Sequence, residues 1–150
     1  IKRGVDPERI IFANRIRAVE QHLARIAVAD LFLDTFPYNA HTSAIDTLWA
    51  GVPIVTRMGR SFASRLAGSL LKSVGLDKLL THDFKEYEEL VVDLALNPEK
   101  LKHYRKLLEK NKSTHRLFNT KLYTQNYERA LTQMYENYLA GKSPEHIVIE

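Results

Sequence analysis

The sequence predicts an α/β fold: a Rossmann-like parallel sheet followed by C-terminal helices. Three observations predict it. Short, continuous apolar runs recur at residues 10–14, 29–35 and 52–56, with a segment of helical spacing between each pair. Unbroken apolar centres of this kind suit strands covered on both faces, as in a parallel sheet. Beyond residue 81 the strand patterns stop, and helix start and stop signals replace them.

Taken in order, Ile10-Ile11-Phe12-Ala13-Asn14 follows a turn, Val5-Asp6-Pro7-Glu8-Arg9, and reads as a buried strand. Leu23, Ile26 and Ala27 then stand at helical spacing. Residues 29–35 read as a second strand, and a loop from Phe36 to His41 leads to a short helix from Thr42 to Ala50. Gly51 ends that helix, and residues 52–56 form a third strand with Pro53 near its start. Strand, helix and strand this close together imply a right-handed parallel crossover.

Ser61 is the expected N-cap of the next helix, with Phe62, Leu66, Leu70 and Val74 as its apolar stripe up to Gly75. Residues 76–81 read as a short fourth strand. Asp83, with Glu86 three residues later, has the form of a capping box, and the helix it opens ends near Asn97. Pro98 suits a first helical position, and a basic helix follows to about Asn111. Asn119 or Thr120 starts a last helix that reaches Leu139, before Gly141. The tail has no periodicity beyond Ile147-Val148-Ile149. The chain therefore divides into an α/β part over about residues 1–81, a helical part over 82–141 and a tail over 142–150. Its opening, Ile1-Lys2-Arg3-Gly4, reads as the end of an element, so the sequence is expected to be part of a longer protein.

Composition narrows the chemistry. At 150 residues, 45% hydrophobic and 27% charged, the chain is of globular type. Without cysteine, a disulfide scaffold, a Cys–zinc site and thiol catalysis are excluded. No apolar run approaches the roughly 20 residues of a membrane span, and no signal peptide opens the chain. A cytoplasmic location without membrane contact is the expectation.

The most informative stretch runs from Leu33 to Gly51. A parallel strand delivers the chain to the carboxyl edge of the sheet, where ligands of open α/β sheets bind. There a helix starts, and its free amides and dipole make an anion site. His41, Thr42 and Ser43 would present those amides, with two hydroxyls and an imidazole as further donors. Asp46, one turn on, is unsuited to phosphate but suited to ribose hydroxyls. The plainer reading is also open: Thr, Ser and Asn are ordinary caps, and Asp46 gains from the dipole with no ligand. Neither GxGxxG nor P-loop spacing is present.

The run Asp34-Thr35-Phe36-Pro37-Tyr38-Asn39-Ala40-His41-Thr42-Ser43, with Asp46, Leu48-Trp49-Ala50-Gly51, Pro53, Val55 and Thr56, resembles the donor block of the O-linked N-acetylglucosamine transferase and SPINDLY family. The likeness continues through Ala63-Ser64-Arg65, Leu117-Phe118-Asn119-Thr120-Lys121, Tyr123-Thr124, Tyr135, Tyr138, Ala140 and Gly141. It covers most of residues 10–147.

The resemblance implies the C-terminal lobe, incomplete, of a two-lobed GT-B glycosyltransferase. It further implies transfer of N-acetylglucosamine from a UDP sugar to protein Ser/Thr hydroxyls, with neither metal nor cofactor. His41, Thr42 and Ser43 match the block that holds the diphosphate, Asp46 the ribose-binding carboxylate, and His22 a histidine placed against the nucleoside. Two positions depart from the family pattern. Val19 stands where a lysine is usual, with Arg15 or Arg17 as substitutes, and Ser43 replaces a threonine. The family's diphosphate lysine, its N-terminal lobe with the proposed acid/base groups and its tetratricopeptide repeats would all lie upstream. Residues 1–150 alone are thus expected to be inactive. SPINDLY-type relatives, linked to fucosyl transfer from a GDP donor, lack the histidine of the His-Thr block, so His41 favours the UDP branch.

Other features have plainer readings. His82, His103, His115 and His146 show no metal-ligand spacing and read as surface or structural. Asp30 and Asp34 share a strand face about 13 Å apart, too far for a retaining carboxylate pair. Asp34 reads as a structural cap. Arg57, Arg60 and Arg65 follow the third strand, where one could approach phosphate or acceptor. Residues 98–116 carry seven basic and two acidic side chains, which exceeds the whole chain's +4. With only Tyr104 interleaved, they read as a solvated helical face rather than a nucleic-acid surface. Tyr123, Tyr127, Ala130, Leu131, Met134 and Tyr138 form a stripe on the last helix. It would pack within the chain or, without an N-terminal lobe, leave a face for self-association. A non-catalytic nucleotide-binding or protein-interaction module is the alternative from another class.

Overall fold

The computed structural model describes residue 2 and residues 4–149. Of the expected element end at residues 1–4, Ile1 and Arg3 lie outside the described residues. Three parallel strands run in the order β1 (Phe32–Leu33), β2 (Ile54–Arg57) and β3 (Leu80–Thr81). Phe32 pairs with Ile54, and Leu33 with Val55. On the other side of β2, Thr56 pairs with Leu80, and Arg57 with Thr81. Ile54, Val55 and Thr56 are consecutive and all fully buried. Successive strand residues face opposite sides, so the central strand is covered on both faces.

Among the described residues there are six α-helices, of which α2, α3 and α4 pack on the strands: α1 (Val19–Ile26), α2 (Thr42–Trp49), α3 (Leu66–Ser73), α4 (Phe84–Leu96), α5 (Pro98–Thr114) and α6 (Thr120–Leu139). The core joins Ala44 and Leu48 of α2, Ala67 and Leu71 of α3, Leu94 of α4 and Leu108 of α5 to Ile54 and Val55. Lys112 of α5 donates to the Trp49 carbonyl at 2.9 Å, at the negative end of α2, and Phe118 meets the Trp49 ring edge-on at 5.1 Å. The C-terminal helices are thereby fixed to the helix that begins at the strand edge.

Several expectations are corrected. Residues 10–14 form no strand among the described residues, and Ile11 and Phe12 are almost fully exposed. A strand needs a hydrogen-bonded neighbour, and the described chain offers none to this run. Ser61 does not cap α3. Its hydroxyl meets that of Ser64 at 2.9 Å, and the helix starts at Leu66. Of the expected stripe only Val74 is fully buried; Leu66 and Leu70 are partly buried, Phe62 is exposed, and Ala67 and Leu71 form the buried side of α3. The fourth strand is shorter than expected, because Asp77–Leu79 coil into a 3-10 turn before Leu80.

Candidate functional site

The loop leaving β1 is organised by Asp34. Its Oδ1 accepts from the amides of Thr35 at 2.8 Å and Ala40 at 2.7 Å, and its Oδ2 from the Thr56 hydroxyl at 2.6 Å. This buried carboxylate is fully engaged inside the fold and is not half of a catalytic pair, since Asp30 is exposed. Tyr87 of α4 donates to the Asp34 carbonyl at 3.0 Å. Burial pushes the Tyr87 phenol above its usual range, and the charge of Asp34 adds to the rise. Asn39, almost fully buried, donates to the carbonyls of Thr35 at 2.6 Å and Arg57 at 3.4 Å, tying this loop to the end of β2. Asn39 and Thr56 enter the sequence reading only as members of the family-like block and Tyr87 not at all, because the bonds that join them to Arg57 and Asp34 reach across elements.

This loop aims the start of α2 outward. His41 precedes the helix and makes no side-chain cap. Its ring stacks on Tyr38, with centroids 4.8 Å apart, and its Nε2 lies 3.4 Å from the Ala63 carbonyl. The imidazole is therefore held against the rim, while the helix start is left uncapped. Thr42 and Ser43 are exposed, and neither their hydroxyls nor the amides of His41, Thr42 and Ser43 have a partner among the described residues. Three amide donors at the positive end of a helix form an anion cradle.

Asp46 lies one turn into α2 and faces α1. His22 Nε2 is 3.8 Å from Asp46 Oδ2, and both side chains are about one-third exposed. Arg25 Nη2 donates to His22 Nδ1 at 3.2 Å. A guanidinium can only donate, so Nδ1 is the acceptor and the neutral ring carries its proton on Nε2, toward Asp46. At 3.8 Å the two are not hydrogen bonded to each other. Each keeps capacity for a ligand: Asp46 as acceptor, the imidazole as donor or stacking face. Among the expected site residues, the structure thus brings His22 to Asp46 and groups His41, Thr42 and Ser43 at the helix start. Val19, Arg15 and Arg17 are exposed, with no ion pair among the described residues. Among the described residues no group of His, Cys, Asp and Glu could hold a metal ion. A cavity of about 1000 Å³ between α6 and the tail, lined by Gln125, Gln133, Glu136 and Val148, shares no residue with this site.

Three of the seven basic side chains over residues 98–116 are paired with carboxylates of the chain. Lys100 pairs with Asp93, Lys102 with Glu99 at 3.6 Å and Lys112 with Glu109 at 2.9 Å, while Arg105 donates to the Ala29 carbonyl. No described helix is long and apolar enough to cross a membrane.

Comparison with solved structures finds Thermobaculum terrenum O-GlcNAc transferase, in a mutant form, at a TM-score of 0.83 and 29% identity, covering 91% of this chain and 26% of that one. That likeness, over nearly the whole chain, makes the sheet and its helices part of a glycosyltransferase lobe of the GT-B class. Residues 1–127 match the family model described as Glycosyl transferase family 41, and the chain belongs to that family. It is 38% identical over 148 residues to a probable UDP-N-acetylglucosamine–peptide N-acetylglucosaminyltransferase SEC of Arabidopsis thaliana. It is 37% identical over 147 residues to the UDP-N-acetylglucosamine–peptide N-acetylglucosaminyltransferase of Caenorhabditis elegans. A SPINDLY protein of Petunia hybrida is 34% identical over 141 residues. The chain spans only about 15% of the length of the Arabidopsis relative and 13% of the worm one.

Proposed function

We propose that this chain is the donor-binding part of an enzyme that moves N-acetylglucosamine from UDP to Ser/Thr hydroxyls of a protein. The observation that carries this reading is the uncapped start of α2, with three unpartnered amides and Asp46 one turn beyond, in a member of a glycosyltransferase family. In the reaction, the bond from the sugar's anomeric carbon to the distal phosphate breaks as a bond to the hydroxyl oxygen forms. The hydroxyl proton passes to a base. Negative charge develops on the departing diphosphate, toward which the amides of His41, Thr42 and Ser43 are already aimed. Preformed donors of this kind stabilise that charge without reorganising, so no metal is required. Asp46 accepts from the ribose hydroxyls, and His22 lies against the nucleoside.

The acceptor protein, the N-terminal lobe and the base belong to contacts outside the described residues. The exposed face of α6 and the apolar run Ile10–Phe12 are the surfaces that those parts, or a second copy of the chain, would cover.

Calorimetry with UDP tests the site. The chain is expected to bind UDP and to bind GDP less tightly. Asp46→Ala should weaken UDP about ten-fold or more, the range for a lost hydrogen bond to a charged group, and His41→Ala should weaken it too, by removing the ring that holds the helix start against Tyr38 and Ala63. Unchanged affinity in both variants overturns the assignment. No sugar transfer is expected from the 150 residues alone.

A further inference from the structure

The anion cradle at α2 is built from neutral amides, and the described part of it holds no cation. A fixed one stands on the same rim. Arg57 is the last residue of β2, the central strand, and pairs with Thr81. Its guanidinium carbon lies 4.1 Å from the centroid of Phe36 and 4.1 Å from that of Phe84. The two rings meet edge to face at 5.7 Å, so the guanidinium sits in the corner between them. Each ring comes from the segment that follows a neighbouring strand, Phe36 after β1 and Phe84 after β3. Three strand ends thus converge to hold one side chain in one orientation.

Its hydrogen-bonding capacity is mostly unused. Nε donates to the His82 carbonyl at 3.4 Å. A guanidinium has five N–H donors, and the four on the terminal nitrogens have no partner among the described residues. Its charge is also unanswered, since no ion pair involves Arg57 among the described residues. The nearby carboxylates are turned elsewhere: Asp34 to Thr35, Ala40 and Thr56, Asp83 to the Glu86 amide, and Glu86 to the His82 amide. Holding the two loops together would require only the apolar stem and rings. A planar cation with free paired donors is suited to phosphate.

Arg57 and the start of α2 share one framework. Asn39, two residues before His41, donates to the Arg57 carbonyl. The loop that leaves Arg57 returns the Ala63 carbonyl to the Asn39 amide at 3.1 Å and to His41 Nε2 at 3.4 Å. We propose that Arg57 binds the distal phosphate of a nucleoside diphosphate seated at the start of α2, supplying the positive charge that the amides lack. This rests on the donor-site reading above.

Calorimetry with UDP, UMP and uridine tests it on the wild-type chain and on Arg57→Met and Arg57→Lys. Arg57→Met keeps an unbranched apolar side chain between the rings and removes the charge. It should weaken UDP about ten-fold or more, UMP much less and uridine not at all. Arg57→Lys should recover part of the loss, and UDP binding should depend less on salt in Arg57→Met than in the wild type. Equal weakening of UDP and uridine assigns Arg57 a purely structural role and overturns the proposal, as does equal weakening of UDP and UMP or no weakening of UDP. Should Arg57→Met fail to fold, Arg57→Gln is read by the same criteria. A wild-type chain that does not bind UDP overturns the donor site itself, whereas tight wild-type binding left unchanged by Arg57→Met overturns only the role of Arg57.

Discussion

At the scale of single residues, Asp34 shows how a side chain with catalytic chemistry can be wholly structural. Its Oδ1 is occupied inside the loop that it starts and its Oδ2 by Thr56 of the central strand, and the phenol of Tyr87 bonds its carbonyl. The hydrogen bond of Tyr87 should contribute about 1 kcal/mol, the usual net value, and Tyr87→Phe should lose about that in denaturant unfolding. A second consequence follows from the raised phenol. In the unfolded chain Tyr87 loses its proton near pH 10, while in the folded chain it holds the proton to higher pH. Its contribution is then fully present below pH 10 and is lost as pH rises through the folded value. Unfolding curves for wild type and Tyr87→Phe at pH 8 and above pH 10 should therefore converge at the alkaline end. A constant gap between them would refute this. His22 and Asp46 illustrate the opposite case, being on different helices. No periodicity connects them; Asp46 was legible from its place one turn into the helix and His22 only through the family resemblance, and the α1–α2 packing supplies their 3.8 Å separation. Arg57 was legible as a candidate among three arginines, but the rings that hold it come from two other strand ends and left no trace in local sequence.

At the scale of elements, the features legible in the sequence are those with local causes. Asp83 caps α4 through the Glu86 amide at 2.8 Å, as the spacing predicts, and Glu86 reaches back to the His82 amide, one residue before the cap. Asp83→Ala removes the capping acceptor and should cost about 1 kcal/mol. Thermal unfolding checks it, and Asp83→Asn, which keeps an acceptor, should restore most of the loss. Pro98 opens α5, Asn119 caps α6 by accepting from the Leu122 amide, and Gly51, Gly75 and Gly141 take positive φ beyond helix ends. Each of these depends on atoms within a few residues. The strand expected at 10–14 depends on a distant partner and failed for that reason, whereas the cap expected at Ser61 failed locally, because a turn over residues 61–64 precedes the helix start at Leu66. Ile10, Ile11 and Phe12 have strand composition without a strand neighbour, while Ser61 has a cap's hydroxyl committed to Ser64. Within α3 the buried positions are Ala67 and Leu71 rather than Leu66 and Leu70, for a cause related to that of the strand, while Val74 beyond its end is buried as expected. Which side of a helix is buried is decided by what it packs on, and α3 turns Ala67 and Leu71 toward the core.

At the scale of the whole molecule, charge and apolar surface lead to different predictions. The basic excess concentrates on α5, where Lys100, Lys102, Arg105 and Lys112 are tied to groups of the chain and only Tyr104 is interleaved as an aromatic, so the helix reads as a solvated face. Apolar surface is the stronger guide to partners. Tyr123, Tyr127, Leu131, Met134 and Tyr138 lie along one helix at 46–76% exposure. An amphipathic face of that length, without a cover, favours association. The 17.3-kDa chain should therefore sediment as a monomer when dilute and as larger species as concentration rises. Leu131 and Met134 lie three apart near the middle of the stripe, so Leu131→Glu with Met134→Glu places two charges where any cover would have to desolvate them. That double variant should remain monomeric across the same range and should still bind UDP, because neither residue belongs to the strand-edge site. A wild-type chain that stays monomeric throughout would show that the stripe alone does not drive self-association. Loss of UDP binding in the variant would instead show that α6 supports the donor site through the fold.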